Sequence, residues 1–265
     1  IVGQTGTASS APSKLARYYL STPWEITTAA LSQVLFATAL NLNSINTSAA
    51  FTDVTINSDG TVLYISVQAS NPTDCIIKVT LPTPFSLTGA TVADPRKGQG
   101  WYTIENTNSI TNVRFKPDGT KYYIGVDAVT DNVIEYSMSS AYSIQTSTAG
   151  TPKTFTNGST AISWNQSGTQ LYVLSANSKF VDRYQLTTAW NVATTTYPVT
   201  NTTNTGGLLT TGAGWFAVSS FGKMKFNTAG TKFYVLETNR TNIREYTCST
   251  AWQVNTATAG TSVNM

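Results

Sequence analysis

A short phrase recurs four times along this chain of 265 residues and constrains its fold more than any other feature. Each copy has a polar turn, a Gly-Thr pair and then an alternating apolar run, which is typical of a tight hairpin between two β-strands. The copies recur about every 50 to 60 residues, so each repeat holds more than one hairpin. The turn glycines are Gly60, Gly119, Gly168 and Gly230.

A second phrase follows each hairpin and also occurs once near the start of the chain. It reads as a third strand that ends in a Ser/Thr turn carrying one aromatic residue, with Pro23 or Pro84 pre-setting φ in two copies. An aromatic used once per repeat favours packing between neighbouring units over a ligand platform. The five aromatics are Trp24, Phe85, Tyr142, Trp190 and Trp252.

The remaining strands complete a four-stranded unit. Apolar residues alternate in the first strand of every repeat, at 54 and 56, 113 and 115, 162 and 164, and 224 and 226. Fourth strands are predicted near 34–36, 101–104, 153–155 and 215–218. A single such sheet cannot bury both faces, whereas sheets stacked around an axis can. The sequence therefore predicts an all-β protein, a β-propeller of four-stranded antiparallel blades.

The repeat count is four full units plus a leading half-blade that has no first hairpin. Three explanations stay open: the chain is the C-terminal part of a longer polypeptide, the ring has five blades with one reduced, or a neighbouring chain completes the blade. The first is favoured. Residues 1–13 are small and polar and are predicted to be a linker or tail, and 14–265 to be the propeller domain.

Composition limits the classes of partner. Charged residues make up only 11% of the chain, against about 25% in a typical protein, which favours an extracellular or virion-surface location. The net charge of +3 is scattered, so we expect no nucleic-acid partner. No segment is long and apolar enough to predict membrane insertion. Cys75 and Cys248 are predicted to be unreactive and unpaired.

The residue types available for chemistry are few. The chain has no histidine, which removes the commonest general base and metal ligand, so no catalytic residue, metal or cofactor is predicted and we expect a protein that is not an enzyme. Two Gly-x-Gly-aromatic segments offer exposed rings for sugar stacking, or alternatively rings that pack on the next blade. These candidate ligand-binding residues are Trp101, Tyr102, Trp215 and Phe216.

The two phrases together resemble a β-propeller repeat family of bacteriophage tail and virion proteins and of secreted bacterial proteins. The copies that carry the resemblance are 117–124, 184–192 and 246–254; Ser167 and Ala229 depart from the family's turn aspartate. The resemblance implies a non-enzymatic structural or receptor-binding module of a phage tail or capsid fibre. Its partners would be other virion proteins, further copies of the chain, or a cell-surface glycan. The alternatives are a secreted lectin-like propeller and a carboxylate-dependent polysaccharide-acting enzyme.

Overall fold

The computed structural model is built almost wholly of antiparallel β-strands. It describes residues 1–4, 13–40, 50–68, 74–92, 101–103, 109–127, 132–155, 161–174, 181–196, 221–237 and 242–264. Within these ranges the helices are single 3-10 turns at Ile26–Thr28, Ile144–Thr146, Val192–Thr194 and Val254–Thr256. Among the described residues no helix is long and apolar enough to cross a membrane.

Four sheets form complete blades, each with its strands in chain order from the first strand outwards. Blade 1 contains β4 (Ala50–Ile56), β5 (Val62–Gln68), β6 (Cys75–Thr80), β7 (Thr91–Val92) and β8 (Trp101–Thr103). Blade 2 contains β9 (Ser109–Phe115), β10 (Lys121–Asp127), β11 (Asn132–Met138), β12 (Ser147–Ala149) and β13 (Lys153–Thr154). In both blades the fourth position is divided between two short strands.

The other two blades have one strand in each position. Blade 3 contains β14 (Ala161–Trp164), β15 (Gln170–Leu174), β16 (Val181–Leu186) and β17 (Thr195–Thr196). Blade 4 contains β18 (Phe221–Phe226), β19 (Lys232–Glu237), β20 (Asn242–Cys248) and β21 (Ala257–Asn264). The predicted fold class, a β-propeller with four full repeats and a leading part-blade, is confirmed; the candidate fourth strand at 215–218 lies outside the described residues.

The leading sheet has three strands, β1 (Val2–Gln4), β2 (Lys14–Leu20) and β3 (Ala29–Phe36). β1 pairs antiparallel with the start of β2, so that Val2 lies opposite Ala16. The segment 1–13, predicted as a linker, thus contains a strand. Its small polar residues did not signal one, but the backbone groups along the edge of β2 need partners, and β1 supplies them.

The core is divided into clusters that lie between successive sheets, as expected when each blade covers its neighbour's face. One cluster joins the leading sheet to blade 1 and is centred on Leu15, Leu63 and Ile77. The next two join blade 1 to blade 2 and blade 2 to blade 3. A fourth joins blade 3 to blade 4 through Tyr172 and Phe226. Stability of each blade therefore depends on contact with its neighbours.

Candidate functional site

The turn glycine and the aromatic of each full repeat form one unit. All four glycines have φ between 71° and 76°, and the aromatics, although not glycine, have φ between 57° and 64°. The aromatic N–H donates to the glycine carbonyl at 2.7–2.9 Å, for example from Trp190 to Gly168. Its ring lies on the glycine, where a Cβ would meet ring atoms at 2.1–2.4 Å. Only glycine therefore fits this position of the turn.

A tyrosine of the preceding blade holds the carbonyl of the same aromatic. Tyr123 in blade 2 donates to the Trp190 carbonyl at 2.7 Å, and Tyr172 in blade 3 does the same to Trp252. The rings pack in series across the gap at tilted angles, with Trp164 of blade 3 at 4.7 Å from Tyr123 and 5.1 Å from Trp190 between ring centroids. Burial raises the pKa of these tyrosines, so their hydroxyls remain donors.

The same contact closes the ring between blade 4 and the leading sheet. The Tyr234 hydroxyl donates to the carbonyl of Trp24, and the two rings stack at 6.2 Å. Lys232 binds Glu25 of the leading sheet at 2.6 Å and Glu245 of its own blade at 2.9 Å. These two hydrogen-bonded carboxylates, Glu25 first, raise the pKa of Lys232. The sheets therefore surround a common axis.

The first strands β4, β9, β14 and β18 lie nearest the axis, and one position on each faces the repeat tyrosine across the strand pair. Strand register places Thr55 opposite Tyr64, Arg114 opposite Tyr123, Ser163 opposite Tyr172 and Lys225 opposite Tyr234. Each of these residues lies two positions before the turn of its blade, and we call the side of the ring that carries these turns the turn face. Together the four first strands carry Asp53 and three cations, Arg114, Lys223 and Lys225.

Arg114 joins three blades at the axis. Its guanidinium forms an ion pair with Asp53 of blade 1, and its Nη2 lies 3.4 Å from the Met224 carbonyl of blade 4. Asp53 also accepts from the Val113 backbone N–H at 3.1 Å. The buried Nε of Arg114 and Oδ1 of Asn112 have no hydrogen-bond partner within the described part of the chain. Buried polar atoms left in this state are typical places for water or a ligand.

Lys225 differs from Arg114, the other cation at this repeat position, because its side chain is exposed and because it forms no ion pair with any described residue. Protein nevertheless surrounds it at the axis, and this desolvation, together with the nearby Arg114 charge, lowers the pKa of Lys225 to about 8; Asp53 opposes the shift. An accessible amine with a lowered pKa is a typical functional group, able to bind anions when protonated or to accept a proton when neutral.

The residues predicted to bind ligand do not form this site. Trp101 and Tyr102 lie in β8, which pairs with β6 at the outer part of blade 1. Trp215 and Phe216 lie outside the described residues. The aromatics Trp24, Phe85, Tyr142, Trp190 and Trp252 lie on the turn face, each held by the left-handed conformation described above.

Sequence reasoning missed Arg114 and Lys225 although a signal was present. The alternating apolar pairs mark the first strands, and the signal lies in the residue between each pair. All four residues at this repeat position are polar or charged and no two are identical, whereas the flanking positions stay apolar: Thr55, Arg114, Ser163 and Lys225. A change of charge from repeat to repeat between two constantly apolar positions, next to the axis, indicates a site and not the scaffold.

Comparison with known proteins supports the propeller fold and assigns no family to the chain. No model of a known protein family matches the chain, and no curated protein matches it. Among solved structures, a protein named as a 6-phosphogluconolactonase from Bacteroides fragilis is 12% identical, with a TM-score of 0.52; the match covers 95% of this chain and 65% of that one. A second so named, from Bacteroides uniformis, is 12% identical with a TM-score of 0.51, over 98% and 70% of the two chains.

Another similar structure is not named as an enzyme. A nidogen/laminin complex contains a chain that is 9% identical, with a TM-score of 0.51, over 97% of this chain and 75% of that one. At such identities the likeness shows the propeller fold alone. The Bacteroides fragilis protein is also longer, since this chain spans about two thirds of its length. The neighbours thus include propellers named as enzymes and propellers that are not.

The function predicted from the repeat, a structural or receptor-binding module of a virion or extracellular assembly, is wrong on these comparisons. The similar structures are headed by 6-phosphogluconolactonase-like propellers, and none of those reported above is a tail, fibre or capsid protein. The physical reason is that the repeated residues are the turn glycine, its aromatic and the bridging tyrosine, which specify how blades pack. They carry no information about what the ring binds.

Proposed function

We propose that the protein binds a small anion, bearing a phosphate or carboxylate group, at the turn-face end of its axis. The proposal rests on Lys225, whose amine is accessible to solvent and has no ion-pair partner among the described residues. Protein atoms nevertheless surround the amine closely enough to desolvate it. A charge in such a place interacts more strongly than one on the open surface.

The surrounding charges favour the same class of ligand. The described first strands hold three cations against the single carboxylate of Asp53, and that carboxylate is already paired with Arg114. The Nε of Arg114 adds a buried donor without a described partner. Phosphate and carboxylate oxygens accept such donors, and the resulting hydrogen bonds are stronger than neutral ones because both groups are charged.

The proposal is tested by titrating inorganic phosphate into the wild type and the K225M variant by calorimetry at pH 7. We expect K225M to weaken phosphate binding by about tenfold or more, because one charge-assisted contact is lost. Lys116 is ion-paired with Asp118 in an exposed turn, so K116M serves as the control and should bind as the wild type does. Equal affinity in the wild type and K225M would overturn the proposal.

The same affinity should depend on pH in a direction that the Lys225 pKa fixes. The protonated amine binds the anion, so affinity falls as pH rises through about 8. This fall should be absent in K225M. A wild-type affinity that stays constant between pH 7 and pH 9 would contradict the assignment of the charge to Lys225.

A second candidate function, hydrolysis of a sugar lactone, is favoured by the neutral fraction of Lys225 at mildly alkaline pH and by the names of the two Bacteroides structures. The neutral amine would take a proton from water while the water oxygen bonds to the lactone carbonyl carbon. The ring C–O bond then breaks, and the ring oxygen takes the proton back from the ammonium group. The amine is thus regenerated and the product is the open hydroxy acid.

Gluconolactone and 6-phosphogluconolactone are the substrates to test for this second candidate. If it holds, K225M should slow hydrolysis by at least about 100-fold, the usual contribution of a general base. The wild-type rate should rise with pH through about 8, which is opposite to the pH dependence of anion binding. No hydrolysis above the uncatalysed rate, together with phosphate binding that requires Lys225, would leave binding as the function.

A further inference from the structure

The edge of the leading sheet that faces the axis has features of an unfilled strand position. In every complete blade the second strand pairs on both sides, as β10 does with β9 and β11. β1 takes the place of a second strand because it pairs with β2, the counterpart of the third. Its other edge pairs with no strand of the described part of the chain. An unpaired edge offers a row of backbone donors and acceptors to a further strand.

Trp24 provides an independent observation at the same place. It has the left-handed conformation of the other repeat aromatics, with φ at 63°. In the four complete blades the aromatic N–H donates to the turn glycine carbonyl and the ring covers that glycine. No described residue accepts the Trp24 N–H. The backbone conformation of Trp24 therefore matches that of the aromatics that bind a Gly-Thr turn in the complete blades.

Neighbouring blades fix the bounds of this position. Blade 4 is held to the leading sheet by the Tyr234 and Lys232 contacts with Trp24 and Glu25, on one side of the position. On the other side Gln33 joins β3 to blade 1, accepting from the Leu87 N–H and donating to Thr88 Oγ1, both at 2.8 Å. The leading sheet, with the open edge of β1, is therefore held between blade 4 and blade 1.

We propose that this edge binds an extended segment of a partner polypeptide that has the sequence pattern of the repeat's own first strand and turn. The pattern is an apolar, a polar and an apolar residue, then Asn and, three residues later, Gly-Thr, as in blade 1. The segment pairs with β1 as an added strand, its apolar residues enter the gap beside blade 4, and its glycine carbonyl accepts the Trp24 N–H. This inference does not depend on the proposed anion site.

The probe is a fluorescently labelled peptide that copies residues 50–61 of this chain, titrated against the intact protein and followed by anisotropy. We expect saturable binding, and slowed hydrogen exchange at the Trp24 and Gly3 amides in the bound state. A control peptide with serine at the positions of Val54 and Ile56 keeps the length and turn but removes the apolar pair. It should not bind.

A protein variant separates strand addition from non-specific adhesion. W24G keeps an N–H and tolerates positive φ but lacks the ring, so it should bind the peptide about tenfold more weakly or worse. The proposal is overturned if the peptide does not bind at millimolar concentration. It is overturned equally if binding leaves exchange at the Trp24 amide unchanged, or if the serine peptide binds as well.

Discussion

Replacement of Gly168 by alanine is expected to lower the free energy of unfolding by about 2–5 kcal/mol, from the left-handed conformation and the steric clash together. Gly168 has φ at 71°, and an added Cβ would lie 2.1 Å from a ring atom of Trp190. The ring cannot easily withdraw, because its backbone N–H is bonded to Gly168 and its carbonyl to Tyr123. Urea denaturation measures the loss.

Gly89 provides a matched control for this effect. Its φ is 72°, almost the same, but an added Cβ would meet only the Pro82 Cγ at 3.1 Å. G89A should therefore show mainly the conformational cost, about 1–2 kcal/mol, with a much smaller steric contribution than G168A. If G168A and G89A lose equal stability, the aromatic ring on the turn glycine adds no steric cost. That result would contradict the close contact between turn glycine and aromatic described above.

The second large effect is expected from D53N at the axis. The substitution keeps the size of the side chain but leaves the buried Arg114 guanidinium without its counter-ion. Removal of one partner of a buried ion pair costs about 3–5 kcal/mol, since the remaining charge stays desolvated. Arg114 also contacts the Met224 carbonyl, so the loss should loosen blade 4 as well as blade 1.

Two comparisons make this prediction specific. K116M breaks the Lys116–Asp118 pair, whose aspartate side chain is half exposed, and should cost less than about 1 kcal/mol. The double variant D53N/R114M should lose less than the sum of the two single variants, because neither charge is then left unpaired. Two results would show that the Asp53–Arg114 pair does not stabilise the packing of the blades at the axis. One is strict additivity of the losses in unfolding free energy, and the other is a loss in D53N no larger than that in K116M.

The scaffold was predictable from the sequence because its residues recur. Gly168 and Trp190 have counterparts in every full repeat, so hairpins and blades follow from periodicity alone. Even the part-blade at the start was visible as an incomplete copy. The strand at Val2–Gln4 was not, because it lies in a segment of small polar residues and forms only through pairing with β2.

The candidate site was hidden for the opposite reason. Arg114 and Lys225 occupy one repeat position but differ from Thr55 and Ser163 in charge and size, so periodic analysis treats them as variation. Their meeting at the axis depends on how the ring closes, which brings blade 2 against the backbone of Met224 in blade 4. Such a contact, between residues 110 positions apart, is set by tertiary structure and not by any local pattern.

Anion binding at Lys225 is tested most sharply by a ¹³C NMR titration of the Lys225 side chain, assigned by loss of its signal in K225M. We expect a pKa of about 8 for Lys225 in the free protein, and a higher value in saturating phosphate, because a bound anion favours the ammonium form. A pKa near the ordinary value for lysine, about 10.4, that phosphate does not change would contradict the proposed anion site.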